Sequence, residues 1–276
     1  MSASSYPLDG VTILDFGQIY NGPYASFMLA MAGARVIKIE PPAGEPLRRR
    51  TAADGGSVPL AMLNANKEGV TLNLKTEKGR ALFRKMVMKA DVVLENFAPT
   101  VMDRLGVGAD ELMALNPRLI YASGSGYGRD GPRRDDLAMD LTVQAVGGVM
   151  HVTGFPDGPP ILPTFALADS FAGFYAATAA MFAVYNRDVI GTGLGQVVDV
   201  SILESVFSML GPNALVHQLT GEVPARTGNR NTTSAPRNVY RTKDDRWIAI
   251  AASTQSTAER LFETMGQPEL IEDPRF

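Results

Sequence analysis

The chain carries 276 residues, 45% of them apolar and 20% charged, enough for one large domain or two smaller ones around a substantial core. It has no cysteine, which excludes a disulfide framework, a thiolate zinc site, an iron–sulfur cluster and a cysteine nucleophile, and His151 and His217 alone do not suit a histidine-rich metal centre. The balance of 26 basic against 29 acidic residues, net charge −3, argues against general nucleic-acid binding, and Met1 to Pro7 lacks the basic and apolar regions of a signal peptide. A cytoplasmic protein with no membrane partner is the expectation.

In chain order, Val11 to Phe16 reads as a buried strand and Pro23 to Ala34 as a helix with its proline in the first turn. Arg35 to Glu40 is a β-branched, alternating strand, and Val70 to Leu74, Asp91 to Glu95 and Leu119 to Ser123 repeat the pattern. Glu77 to Lys89 is an amphipathic helix with Leu82, Met86 and Val87 on one face. Gly173 to Tyr185 is uncharged but shorter than the roughly 18 residues of a spanning helix. Its alanines predict a helix packed closely inside a core. Gly191 to Gly195 is a tight turn into the strand Gln196 to Val200, and Ile202 to Leu219 reads as one long helix ending at Gly221.

Glu222 to Arg246 is polar and basic, and reads as a linker or long surface loop before the strand Trp247 to Ala252 and the helix Ser256 to Met265. Strands alternating with helices predict an α/β fold with a mainly parallel sheet, as in doubly wound domains. The boundaries expected are a large domain over residues 1–220 and a smaller second domain begun at 221–276, incomplete at its C-terminus.

Among motifs, Gly126, Gly128 and Gly131 spell GxGxxG after a strand, but no helix opens there. His151 stands where the dinucleotide fingerprint needs an acid, so a nicotinamide site is not supported. There is no P-loop, GxSxG elbow or HExxH. Arg48, Arg49 and Arg50 form a run that is by default solvated, or that steers an anionic ligand. Asp169 precedes a long apolar helix. Its local reading is an N-cap; the alternative is a carboxylate nucleophile kept ionised by the helix N-terminus and partly desolvated by its surroundings.

The segments LDFGQIYNGPYAS (Leu14 to Ser26), GARVIKIEPPAGE (Gly33 to Glu45), NANKEGVTLNLKTEKGR (Asn64 to Arg80), ADVVLENFAP (Ala90 to Pro99), LNPRLIYASGSGYG (Leu115 to Gly128) and GLGQVVDVSILES (Gly193 to Ser205), with the Asp169 segment, resemble the class III CoA-transferases over nearly the whole chain. That family includes formyl-CoA and carnitine CoA-transferases and is related to 2-methylacyl-CoA racemase. The resemblance implies a Rossmann-like large domain, an interlocked homodimer, and acyl-CoA with a small carboxylic acid as substrates, with no permanently bound cofactor. It places Asp169 as the nucleophile that passes through an aspartyl anhydride and an aspartyl-CoA thioester.

The same resemblance assigns coenzyme A to Tyr20 and Asn21 with nearby Gln18, to Leu72, Asn73, Leu74 and Lys75, to Asn96, Phe97 and Ala98, to Arg104, and to Asp136, Leu137, Ala138 and Met139. Lys75 and Arg104 are chemically suited to its phosphates. Three positions depart from formyl-CoA transferase: Tyr20 replaces a supporting glutamine, Pro41 replaces an arginine beside the adenine, and no glycine-rich loop lies within Asn229 to Arg246. Met139 and Asp140 stand where the racemases carry a histidine and an aspartate, and methionine cannot exchange a proton. A truncated, non-catalytic CoA-binding chain is the remaining alternative.

Overall fold

The computed structural model describes residues 6–50, 56–230 and 233–274. Met1 to Pro7, read above for a leader, lies largely outside them, as do 231–232 of the polar tract and 275–276 at the end. The chain divides into two compact units, Met1–Gly147 with Pro163–Gly211, and Gly148–Leu162 with Pro212–Phe276.

The first unit opens with β1 (Thr12–Asp15), α1 (Asn21–Met31), β2 (Arg35–Glu40), α2 (Val58–Leu63), β3 (Lys67–Thr71), α3 (Glu77–Val87) and β4 (Val92–Glu95). It continues through α4 (Val101–Arg104), α5 (Ala109–Leu115), β5 (Ile120–Ser125) and α6 (Asp140–Val146). The second unit takes α7 (Val149–Val152); the first resumes with α8 (Leu167–Asp188), β6 (Val197–Ser201) and α9 (Ile202–Ser208). The six strands are all parallel in the order β3-β2-β1-β4-β5-β6. That order reverses between β1 and β4, where a doubly wound sheet leaves a crevice at its carboxyl end.

Alternation along the strands sends their side chains to two helical layers. Leu14, Val93 and Tyr121 join Phe83, Val87, Met102 and Leu112 of α3, α4 and α5 in one buried cluster. On the other face α8 buries Ala172, Gly173, Ala176, Ala177 and Ala180, so it lies close to α1. A Cβ on Gly173 would fall 2.8 Å from the Asn21 carbonyl oxygen, so only glycine permits this approach. The expected core helix is thus half right. Its small-residue face is buried, while Phe171, Phe174, Met181, Phe182 and Tyr185 form an exposed stripe on the opposite side. Among the described residues α8 is also the one helix long and apolar enough to cross a membrane by length and composition.

Three expectations need correction. The third strand lies at Lys67–Thr71, not Val70 to Leu74, because it is an edge strand that exposes Glu68 and Gly69 while Leu74 turns into the core. Ile202 to Leu219 is two helices, α9 and α10 (Asn213–Thr220), broken where Gly211 takes φ +58° and Pro212 offers no N–H. The polar tract Glu222 to Arg246 contains β7 (Arg237–Arg241), which pairs antiparallel with β8 (Trp247–Ala251). In this second unit α11 (Gln255–Thr264) follows, with a capping box between Thr254 and Thr257.

Beneath the carboxyl end of β1 lies a buried ionic network, reached by Lys67 from the first position of β3. Lys67 Nζ donates to Asp15 Oδ2 at 3.0 Å, Ser26 Oγ at 2.7 Å and Asn64 Oδ1 at 2.9 Å, and both charged side chains are almost fully buried. Burial pulls the Lys67 ammonium below its ordinary range, and Asp15 opposes that shift. Removing one partner of such a pair strands the other charge, at a cost of about 3–5 kcal/mol. Lys67→Met is therefore expected to lower the urea unfolding midpoint markedly, and an unchanged midpoint would show that Asp15 does not depend on this lysine.

Candidate active site

The crevice between β1 and β4 is bridged by a reciprocal pair of hydrogen bonds. Gln18 N–H donates to Asn96 Oδ1 at 2.7 Å, and Asn96 Nδ2 donates to the Gln18 carbonyl at 2.9 Å. The loop after β1 is fixed from below as well: Asp15 Oδ1 accepts from Gly17 N–H at 2.6 Å, Lys38 Nζ donates to the Gly17 carbonyl at 2.7 Å, and Glu45 Oε2 accepts from Ile19 N–H at 3.0 Å. Lys38 and Glu45 form a buried ion pair at 3.2 Å. These ties hold Ile19 at φ +62°, a left-handed conformation costly for a β-branched residue. The outcome is that Tyr20, stacked on Tyr24 with ring centroids 6.0 Å apart, is delivered to the cavity that follows.

That cavity, about 500 Å3, is lined by Tyr20, by Asn96, Phe97 and Ala98 after β4, by Asp136, Leu137, Ala138 and Met139 after β5, and by Asp169. These sequence-selected residues come together from four separate segments. Glu95 supports the group by accepting from Phe97 N–H at 2.8 Å, and its burial pushes its carboxyl above the usual range.

The other selected positions stand apart from the cavity wall. Gln18 acts through its backbone; Asn21 is buried at the start of α1 against Gly124. Leu72, Asn73, Leu74 and Lys75 follow β3 at the same end of the sheet, with Asn73 Oδ1 accepting from Lys75 N–H at 3.0 Å. Arg104 is exposed at the end of α4. Pro41 lines a second cavity of about 420 Å3 with Glu40, Gly44, Arg48 and Thr71.

Asp169 is not the helix cap that its local context predicts. α8 begins at Leu167 with Ala166 as its cap residue, so Asp169 is the third residue of the helix, with its side chain aimed at the cavity and not spent on a cap. Its backbone N–H donates to Asp140 Oδ1 at 3.1 Å, and Gln144 Nε2 donates to Asp140 Oδ2 at 2.7 Å. Burial, reinforced by the Asp140 charge, pushes the Asp169 carboxyl up to about 7, outweighing the helix N-terminus that favours its anion. Gln144 is a site residue the sequence did not single out; Asp140 stood out there only at the racemase aspartate position, and Arg50 only as a member of the run Arg48 to Arg50. The signal for Gln144 is its i, i+4 spacing from Asp140, legible only once the helix α6 is known.

The arrangement supplies a carboxylate that ionises near neutrality in a largely apolar cavity, beside backbone of a glycine-rich loop. Since the native value lies above the unfolded one, the native state holds the extra proton. Stability from Asp169 is complete below its unfolded value and is lost as pH rises through about 7. Urea titrations from about pH 4 to about pH 8 should show wild type losing stability relative to Asp169→Asn up to neutrality and levelling off beyond it. A difference independent of pH would contradict the shift.

Residues 8–276 match the model of the family described as CoA-transferase family III. The chain is 41% identical over 273 residues to the succinyl-CoA–D-citramalate CoA-transferase of Chloroflexus aurantiacus, covering 98% of this chain and 67% of that protein. It is 41% identical over 273 residues to the acetyl-CoA:oxalate CoA-transferase of Acetobacter aceti, covering 98% and 69%. A crystal structure of a CaiB/BaiF family protein from Brucella suis matches with a TM-score of 0.86 at 33% identity, covering 99% of this chain and 73% of that one.

Proposed function

The chain belongs to CoA-transferase family III, and from that premise we propose that it moves CoA from an acyl-CoA donor to a carboxylic acid through Asp169. The observation that carries this reading is a largely buried carboxyl, ionising near neutrality, in a cavity at the point where the strand order reverses. A carboxylate stripped of water attacks a thioester carbonyl more readily than a hydrated one. Attack by Asp169 gives a mixed anhydride and expels CoA thiolate. The thiolate returns to the aspartyl carbonyl, releasing the donor acid and leaving an aspartyl-CoA thioester. The acceptor carboxylate displaces the thiolate in turn, and the thiolate takes the acceptor acyl group from the second anhydride, regenerating Asp169.

Asn96 to Ala98 and Asp136 to Met139 would flank the thioester, with Leu72 to Lys75 and Arg104 along the same end of the sheet for the nucleotide portion of CoA. The exposed aromatic stripe on α8 supports a homodimer, since a large apolar patch on a helix marks a surface that another chain covers. Met139 lines the cavity without an exchangeable proton, which favours transfer over racemisation.

Asp169→Asn separates this chemistry from a structural role. Because the residue does not cap α8, and the amide avoids the cost of ionising a buried carboxyl, Asp169→Asn should not lower the thermal midpoint at neutral pH, yet CoA exchange between acyl-CoA and acid should vanish, since an amide forms no anhydride. Exchange that persists in Asp169→Asn would sink the proposal.

A further inference from the structure

We propose that Arg50 binds the distal carboxylate of the acceptor, making the Asp169 cavity selective for dicarboxylic over monocarboxylic acids of equal length. This rests on the reading of that cavity as the place where the acceptor meets Asp169. Arg50 is the only cationic side chain among the described residues lining the cavity, against three carboxyl groups, Asp136, Asp140 and Asp169. Each carboxyl is accounted for without it. Asp136 pairs with Arg133 at 2.9 Å, Asp140 accepts from Gln144 and from the Asp169 N–H, and Asp169 has no cationic partner while burial keeps it substantially protonated near neutrality.

Arg50 itself makes no side-chain hydrogen bond or ion pair among the described residues. Its neighbour in the run behaves differently: both ends of the Arg48 guanidinium fork bond Glu40, which is itself buried. That clamp, with Leu47 buried beneath the turn, anchors the single 3-10 turn Pro46–Arg49. The Arg50 N–H closes the turn on the Leu47 carbonyl at 3.1 Å, and the chain leaves it there with φ −87° and ψ 88°. So the run of three arginines divides its labour. The first fixes the turn, and the third presents an unspent planar fork to a cavity whose other side chains are anionic, neutral polar or apolar.

An acid with one carboxylate needs only the reacting carbon of the aspartyl thioester, which is neutral. An acid with a second carboxylate would carry an unpaired anion into a cavity of three acids unless a cation meets it, and a guanidinium does so through two parallel hydrogen bonds. The cavity, about 500 Å3, has room for a short-chain diacid.

The test is direct binding, by titration calorimetry on the protein without acyl-CoA, of succinate and of butyrate, which share a carbon count and differ in one terminal group. Wild type should bind succinate at least about tenfold more tightly. Arg50→Gln should erase that ratio, Arg50→Lys should restore part of it, and Arg49→Gln, outside the cavity, should leave it intact. Equal binding of the two acids by wild type, an unchanged ratio in Arg50→Gln, or loss of both acids together would overturn the assignment. So would a weakening of CoA binding in Arg50→Gln with the acid ratio preserved, which would give Arg50 to a CoA phosphate. Because no turnover is involved, a lost ratio leaves Asp169-dependent exchange standing, and absent exchange leaves the ratio standing.

Discussion

Where α8 crosses α1, Gly173 meets the backbone of Asn21 and Ala25 so closely that a single methyl group would not fit. Alanines at 172, 176, 177 and 180 extend the same contact along the helix. Close approach of this kind fixes the two helices in one register, because there are no long side chains to rearrange between them. Asp169 lies one turn before Gly173 and so inherits that register, and Tyr20 inherits it from the other partner as the residue that precedes α1. The mouth of the cavity is therefore set by helix packing well below it, and the Asp169 carboxyl is held by a rigid element instead of a loop.

The opposite wall depends on charges that the fold has buried. Taking Asp15, Lys38, Glu45 and Lys67 out of water is expensive, and their mutual bonds with Ser26, Asn64 and the Gly17 to Ile19 backbone offset that cost only in one arrangement. The same arrangement imposes a left-handed conformation on Ile19, and the strain is local to the segment that delivers Tyr20. Asn96 then ties this loop to the one after β4 across the reversal of strand order. Helix packing and buried electrostatics thus converge on one crevice from its two sides.

The central strands were legible in the sequence because they are buried on both faces and read as continuous apolar runs: Ile13, Leu14, Val92 to Leu94 and Ile120 to Ala122 admit no other element so easily. Legibility fails at the edges. β3 exposes Lys67 to Gly69 to a polar environment or to the hidden ion network, so its pattern points to the apolar residues just beyond it, and β7 reads as linker because Arg237, Asn238 and Arg241 carry no alternation. In the site, Asp169 is identified by the resemblance and not by its local context, which predicts a cap; the helix starts three residues earlier than a cap at Asp169 would require. Gln144 is invisible until a helix places it one turn from Asp140. Arg50 is hidden inside a basic run whose members have different tasks, a distinction that no pattern of charge along the chain contains.

The central claim is that the oxygen atoms of Asp169 take part in the reaction. Transfer to an acceptor acid whose carboxylate carries isotopically heavy oxygen tests it directly, because each turnover through the second anhydride leaves one acceptor oxygen on the nucleophile. After a single turnover, mass spectrometry of the digested protein should find one heavy oxygen on the peptide containing Ala168, Asp169 and Ser170 and on no other. Turnover that leaves this peptide unlabelled, or that labels a different carboxylate, would contradict the account.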